Sequence, residues 1–323
     1  MRTFMKYGLL AAVVGSVVGL ANVQASAQDL ELTITAPAGA GGGWDSAARS
    51  LQEAMRASGN AKSVQVVNVP GAGGTVGLAQ FIGSAKGSPN QLLVAGITLV
   101  GASISNKSPV NLTKVTPLAR LTGDPLVIVV PKASPIKTIA DLQATIKKDV
   151  ARTIWVGGSA GGADHILAAL VTKASGADPS KVNYVAYSGG GESLAAMLGG
   201  QATAGVSGYG EWEGQIKSGD LRALAISYPE PIHGIDAKPL KAQGLDIELV
   251  NWRGIFAGPD VQGKDLDALK AAIDKTVTSE QWKTILKTRG WSDYYAPADE
   301  FKTFIASETD RVHTVLKSIG LAD

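Results

Sequence analysis

The chain of 323 residues contains no cysteine. That absence excludes a disulfide framework, a thiolate metal site, a cysteine nucleophile and a lipid anchor on cysteine. Histidine is scarce, with three scattered copies and no H-x-x-x-H pair, so no metal site is expected. Neither sign of charge dominates: 30 Lys+Arg face 28 Asp+Glu, a formal net charge of +2. A nucleic-acid binder needs a basic face, and no such partner is expected. Disorder is excluded by a 45% hydrophobic share.

Long apolar runs are missing too, except at the start. Arg2 and Lys6 precede an apolar stretch over residues 7–21, and Ala25-Ser26-Ala27 is a small-x-small cleavage signature. The pattern predicts a signal peptide, residues 1–27, cleaved after Ala27; a transmembrane helix needs roughly 20 apolar residues. The exported chain is expected to be periplasmic and to carry no net formal charge, with 28 basic and 28 acidic residues. Export removes NAD and ATP from reach, and no cofactor is expected.

What the chain has in excess is glycine, 39 residues or about 12%, against a usual share of roughly 7%. Alternating Leu30-Glu31-Leu32-Thr33-Ile34 predicts a strand, followed by Gly39-Ala40-Gly41-Gly42-Gly43 and a helix from Asp45 to Ala57. A strand at residues 64–69, the loop Gly71-Ala72-Gly73-Gly74, a helix from Thr75 and a strand at 92–95 come next. The same grammar returns: a strand at 152–156, Gly157-Gly158-Ser159-Ala160-Gly161-Gly162, a helix from Asp164, a strand at 182–187, Ser188-Gly189-Gly190-Gly191, a helix and a strand at 202–206. Both halves carry Gly-Gly-x-Asp, at residues 42–45 and 161–164.

The repeat predicts an α/β, two-lobe, venus-flytrap fold, each lobe a mostly parallel sheet flanked by helices. Two crossing strands are expected, at the apolar run 126–130 and at residues 251–257. Lobe 1 is drawn as residues 28–123 plus 253–323, and lobe 2 as 124–252. An apolar stripe through Phe301, Phe304, Ile305, Val312, Val315, Leu316 and Ile319 predicts a C-terminal helix that packs on lobe 1.

Glycine loops that open helices bare backbone N–H groups, and the helix dipole adds partial positive charge there. No phosphate motif of the form G-x-x-x-x-G-K-[ST] or G-x-G-x-x-G is present, so a carboxylate is the expected guest. Thr75, Thr98, Ser159, Ser188 and Ser207 offer hydroxyls at loop positions. Asp45 and Asp164 are read as caps of their own helices. Arg49, Arg120 and Arg253 are candidate counter-charges.

One rival stands beside this reading. Gly157-Gly158-Ser159-Ala160-Gly161 fits G-x-S-x-G between a strand and a helix, the setting of a hydrolase nucleophile. His165 sits on the helix after Ser159, and His233 is the one plausible loop base.

Residues 37–45 (Pro-Ala-Gly-Ala-Gly-Gly-Gly-Trp-Asp) and 67–77 (Val-Asn-Val-Pro-Gly-Ala-Gly-Gly-Thr-Val-Gly) resemble the signature loops of Bug-type solute receptors, the periplasmic substrate-binding proteins of tripartite tricarboxylate transporters. The resemblance continues through residues 118–123, 157–165, 183–192 and 251–254. It implies a non-enzymatic clamshell that grips a carboxylate through backbone amides and delivers it to integral-membrane large and small permease subunits. A sensor role, with a signalling partner in place of the permease, is the alternative within that reading. Trp44-Asp45 and Ser188-Gly189-Gly190-Gly191-Glu192 resemble the tricarboxylate-binding branch, which favours a citrate-like ligand. A monomer is expected. The expected ligand contacts are Gly41, Gly42, Gly43, Trp44, Asp45, Gly73, Gly74, Thr75, Thr98, Ser159, Ala160, Gly161, His165, Ser188, Gly189, Gly190, Ser207 and Tyr209.

Overall fold

The computed structural model describes residues 30–323. The expected export signal and its cleavage point lie outside them. In the first half, β1 (Glu31–Ala36), α1 (Gly43–Ala57), β2 (Ser63–Asn68), α2 (Thr75–Ser84), β3 (Gln91–Gly96) and α3 (Ile97–Ser105) follow one another. The second half begins with β4 (Thr116–Pro131) and α4 (Ile139–Lys148). It then repeats the pattern with β5 (Ile154–Gly157), α5 (Ala163–Ala174), β6 (Asn183–Ala186), α6 (Gly190–Leu198), β7 (Ala204–Gly208) and α7 (Tyr209–Lys217). β8 (Leu221–Ile226), β9 (Val250–Ala257), α8 (Gly263–Val277), α9 (Glu280–Arg289), β10 (Ser292–Pro297) and α10 (Ala298–Ser318) complete the chain.

The internal repeat appears as topology. β1 pairs in parallel with β2 and β3, and β5 pairs in parallel with β6 and β7. Antiparallel strands extend each three-stranded core: β9 runs against β3, and β4 against β7. The full order is β2-β1-β3-β9-β4-β7-β5-β6, with β8 and β10 also pairing with β4. Apolar residues recur where the elements need them. Leu32, Ile34 and Ala36 turn inward from β1, and Ala47, Ala48, Leu51, Ala54 and Met55 form the buried stripe of α1.

β4 belongs to both half-sheets. Its start, to Pro125, pairs with β9, and its end, from Leu126, pairs with β7 and β8. The apolar run 126–130 is therefore core of the second half-sheet. The passage between half-sheets lies just before it, where Asp124 pairs with Asn251 and Pro125 with Val250. The expected lobe limits at 123/124 and 252/253 fall inside β4 and β9.

α10 packs on α3 and β4, and α8 and α9 pack on α1, so the C-terminal helices return to the first half-sheet. Trp252 of β9 donates from Nε1 to Glu308 of α10 at 3.1 Å, and Phe301 and Phe304 meet its ring edge-on. Such aromatic pairs add roughly 0.5–1.5 kcal/mol beyond burial.

The two halves touch through backbone. A Cβ on Gly101 of α3 would overlap the Gly161 carbonyl oxygen, and a Cβ on Gly189 would come within 3.5 Å of the Gly42 Cα. Within the first half, a Cβ on Gly254 would overlap the Phe301 ring and approach the Ala119 carbonyl to 2.9 Å. Gly254→Ala is expected to destabilise the fold by about 1–3 kcal/mol, the usual cost of overpacking. Gly83→Ala, with nothing within 4 Å of the added methyl, is expected to be neutral or to stabilise by up to about 1 kcal/mol. Urea unfolding midpoints of the two variants check the contrast.

Candidate functional site

Six helices, three from each half, begin at a glycine: Gly42 before α1, Gly74 before α2, Gly96 before α3, Gly162 before α5, Gly189 before α6 and Gly208 before α7. None of the six has a side-chain cap. α4 and α9, by contrast, are capped by the Thr138 and Ser279 hydroxyls. The first N–H groups of a helix have no intrahelical acceptor, so a start without a capping side chain leaves them for water or a ligand, except at α5, where the Ala163 N–H donates to the Thr98 hydroxyl of the other half at 3.3 Å.

Loops of both halves enclose one cavity of about 460 Å³, within the usual range of small-molecule sites, roughly 300–1,000 Å³. Of the expected contacts, Gly42, Gly43, Trp44, Gly73, Gly74, Thr98, Ser159, Ala160, Ser188, Gly189 and Gly190 line it. The others lie behind it. Gly41 donates its N–H to Asp45 at 2.9 Å, and Asp45 also accepts from Arg49 and Asn68. Those bonds outweigh the cost of burial and lower the Asp45 carboxyl below its ordinary value. Asp45 thus folds its own loop. Thr75 donates to the Ala72 carbonyl at 2.9 Å.

Gly161 donates its N–H to Nδ1 of His165 at 3.1 Å, and the His165 ring stacks on Tyr184 at 4.2 Å. Burial depresses His165 to about 4, so its imidazole is neutral at pH 7. Tyr184 donates to the Gly158 carbonyl at 2.7 Å. The two rings brace the loop that carries Ser159. With Nδ1 committed to Gly161, His165 is no base for Ser159. Ser207 and Tyr209 are buried because β7 runs into α7 with no intervening loop.

The arginines separate. Arg120 donates from Nε to the Tyr294 carbonyl at 2.6 Å and lies over the Tyr294 and Phe304 rings. Arg49 is half exposed on Asp45. Arg253 lines the cavity, 2% exposed, with Nη2 at 2.5 Å from Asp124. Its Nε and Nη1 have no protein acceptor among the described residues.

Two acids share that floor, and neither was marked as a contact from sequence. Asp164, expected to cap its own helix, instead accepts from the Gly158 N–H of the preceding loop at 2.7 Å, while α5 has no side-chain cap, and it also lines the cavity. Glu211, in the first turn of α7, lies 3.9 Å from Arg253 Nη2. A Cβ on Gly190 would overlap its carboxylate, and one on Gly43 would come within 3.0 Å. Burial pushes Glu211 up to about 8, helped by the nearby Asp124 and Asp164 and opposed by Arg253. Burial likewise pushes Asp164 up to about 7. Asp124 also moves up on burial, against the pull of Arg253. A glutamate in a first helical turn reads as an ordinary partner of the dipole; only the fold sets it against a buried arginine.

Comparison with known proteins gives the family and the fold. The family described as TctC, tripartite tricarboxylate transporter family receptor, matches residues 47–321. Protein BugT of Bordetella pertussis is 26% identical over 323 residues, covering 96% of this chain and 97% of its own. Among solved structures, R. palustris Rpa4515 with adipate superposes at a TM-score of 0.83, with 16% identity, 90% of this chain and 98% of that one. MatC from Rhodopseudomonas palustris with bound malate superposes at 0.78, with 21% identity, 88% of this chain and 98% of that one. These structures share the periplasmic binding protein fold.

Two outcomes follow from the buried charges. A carboxyl whose folded value is raised holds its proton more firmly when folded. Its contribution is present below the ordinary 4.5 of Glu211 and is lost as pH rises through about 8. Glu211→Gln is therefore expected to be more stable than wild type at pH 8.5 and to lose that advantage near pH 5, measured as Tm. Arg253→Ala strands Asp124 without a partner and is expected to cost about 3–5 kcal/mol. Adding Asp124→Asn should recover part of that loss in a double-mutant cycle by chemical denaturation.

Proposed function

Because the chain belongs to the tripartite tricarboxylate transporter receptor family, we propose that it captures a small organic di- or tricarboxylate between its lobes and delivers it to the large and small permease subunits of such a transporter. The family is one of receptors, not enzymes, and nothing in the geometry favours the Ser159 hydrolase. The observation that carries the ligand class is the set of six glycine-started helices around one cavity. Apart from the Ala163 N–H, which Thr98 takes, their N–H groups suit an anion without a basic patch, and each charge-assisted bond is worth roughly 1.5–3 kcal/mol. Malate and adipate in the related structures are carboxylates of fitting size.

The same reading places the protein in the periplasm after cleavage behind Ala27, as a monomer. Its lobes, with limits at 123/124 and 252/253, move about the passage between β4 and β9. The eleven lining residues expected from sequence hold the ligand. Gly41, Asp45, Thr75, Gly161, His165, Ser207 and Tyr209 act through the loops they brace. Trp44-Asp45 favours a citrate-like ligand by resemblance alone, because Asp45 turns away from the cavity to Arg49 and Asn68. Closure joins two rigid units around the guest, so the liganded form presents a different surface to the permease.

The test is a thermal-shift screen of small carboxylates. A ligand at 100 times its Kd is expected to add about 2.7 kcal/mol of stability. Gly101→Ala, which wedges α3 off the Gly161 carbonyl, is expected to weaken that ligand about tenfold or more and to enlarge the radius of gyration in small-angle scattering. Ester cleavage that depends on Ser159, with no carboxylate shifting the melt, would replace the receptor with the hydrolase.

A further inference from the structure

Three carboxyl groups gather around one buried cation. Asp124 of β4, Asp164 in the first turn of α5 and Glu211 in the first turn of α7 all feel the charge of Arg253 of β9. Among the described residues, Arg253 is the one basic residue of the cavity lining. Asp124 holds its Nη2 at 2.5 Å, and Glu211 stands 3.9 Å from the same atom. The other charged groups on the surrounding elements are engaged elsewhere. Glu192 of α6 accepts the Ser188 N–H at 3.0 Å, and Asp45 of α1 faces Arg49 and Asn68. Arg222 of β8 donates to the Lys132, Ser134 and Ile136 carbonyls, and Arg289 of α9 lies over Trp291. On α7 itself, Lys217 pairs with Glu213 at 2.7 Å.

Glu211 also stands where two helices from opposite halves begin. A Cβ on Gly190, the first residue of α6, would overlap its Oε2, and one on Gly43, the first residue of α1, would come within 3.0 Å of its Oε1. An ionised Glu211 sets its own negative charge against the helix starts and the guanidinium that draw an anion in. A neutral Glu211 leaves that attraction uncancelled. Arg253 then has capacity for a further partner, because its Nε and Nη1 have no acceptor among the described residues.

We propose that Glu211 is a proton gate on this cavity: an anionic ligand binds while Glu211 carries a proton and is repelled once that proton passes to solvent. The proposal rests on the carboxylate-receptor reading and adds a regulation to it. Burial raises Glu211 to about 8, with Asp124 and Asp164 adding to the shift and Arg253 and the Ser207 hydroxyl opposing it. The proton is therefore in place at pH 7. A bound anion raises the value further, so binding above pH 8 draws a proton from solvent. Affinity is full below about 8 and falls as pH rises through it. Asp164, which burial raises to about 7, is already ionised where Glu211 loses its proton.

Isothermal titration from pH 6.5 to 9.5 tests the gate, with succinate, malate, adipate and citrate as probes and circular dichroism to show the fold at each pH. All four probes are fully ionised above pH 7.5, so a proton taken up there belongs to the protein. The wild type is expected to weaken toward about tenfold per pH unit above pH 8.5. At pH 8.5, heats in two buffers of different ionisation enthalpy are expected to show uptake of more than about half a proton per ligand. Glu211→Gln imitates the protonated acid. It is expected to hold its affinity from pH 7.5 to 9.5 and to take up no proton, while Asp164→Asn keeps the step above pH 8. If Glu211→Gln does not fold, the wild-type step and proton count decide alone. Affinity that does not change with pH, or equal uptake by wild type and Glu211→Gln, overturns the gate and leaves the carboxylate receptor intact. Binding of no probe at any pH overturns both.

Discussion

Beneath the cavity the Arg253 guanidinium and the Asp124 carboxylate lie 2.5 Å apart, each 2% exposed, where β4 and β9 run side by side between the half-sheets. Burying two charges is costly, and their attraction offsets the cost only when they stay together. The pair therefore holds the two crossing strands in one register. It also dictates residues far away in sequence. A Cβ on Gly43 would overlap the guanidinium, and a Cβ on Gly208 would overlap the Asp124 carboxylate. The first residue of α1 and the last of β7 are glycine because this ion pair occupies the space a side chain would fill.

The glycine excess thus has two physical origins. At helix starts, glycine leaves N–H groups uncovered and lets a guest approach the backbone. At Gly101, which faces the Gly161 carbonyl, and at Gly162, which faces Thr98, it lets one half of the molecule touch the other. Both needs meet around the same cavity, so the loops that offer donors also set how closely the lobes approach. Asp45 and Asp164 shape the first loop of each half by accepting the Gly41 and Gly158 N–H groups. The two halves solve the same problem with the same residue, yet only Asp164 reaches the cavity.

Much of this was legible in the chain. The alternation of β1, the apolar stripe of α1 and the repeated Gly-Gly-x-Asp are local patterns, and local patterns give elements and their order. Eleven of the expected residues line the cavity because glycine loops that follow strands gather at the strand ends. The exceptions have particular causes. The pattern places Ser207 in a loop, but β7 passes into α7 without one, and Ser207 and Tyr209 are both buried. Thr98 was also read as a loop residue; it stands in the first turn of α3, yet still faces the cavity. Arg120 looked free to meet an anion and instead lies on Tyr294 and Phe304.

The chain's lack of cysteine, its balanced charge and its glycine runs pointed to the class of protein and to its helix-opening loops, because those properties depend on composition and neighbours. Which acids line the cavity depended on distance across the fold. Glu211 is 42 residues from Arg253 in sequence and meets it only because β7, β4 and β9 lie adjacent in the sheet. Electrostatic interaction falls with separation in space and is strengthened by burial, and sequence spacing carries neither quantity. The tertiary structure alone decided that the cavity ringed by glycine-started helices also carries Asp164, Glu211 and the buried Arg253.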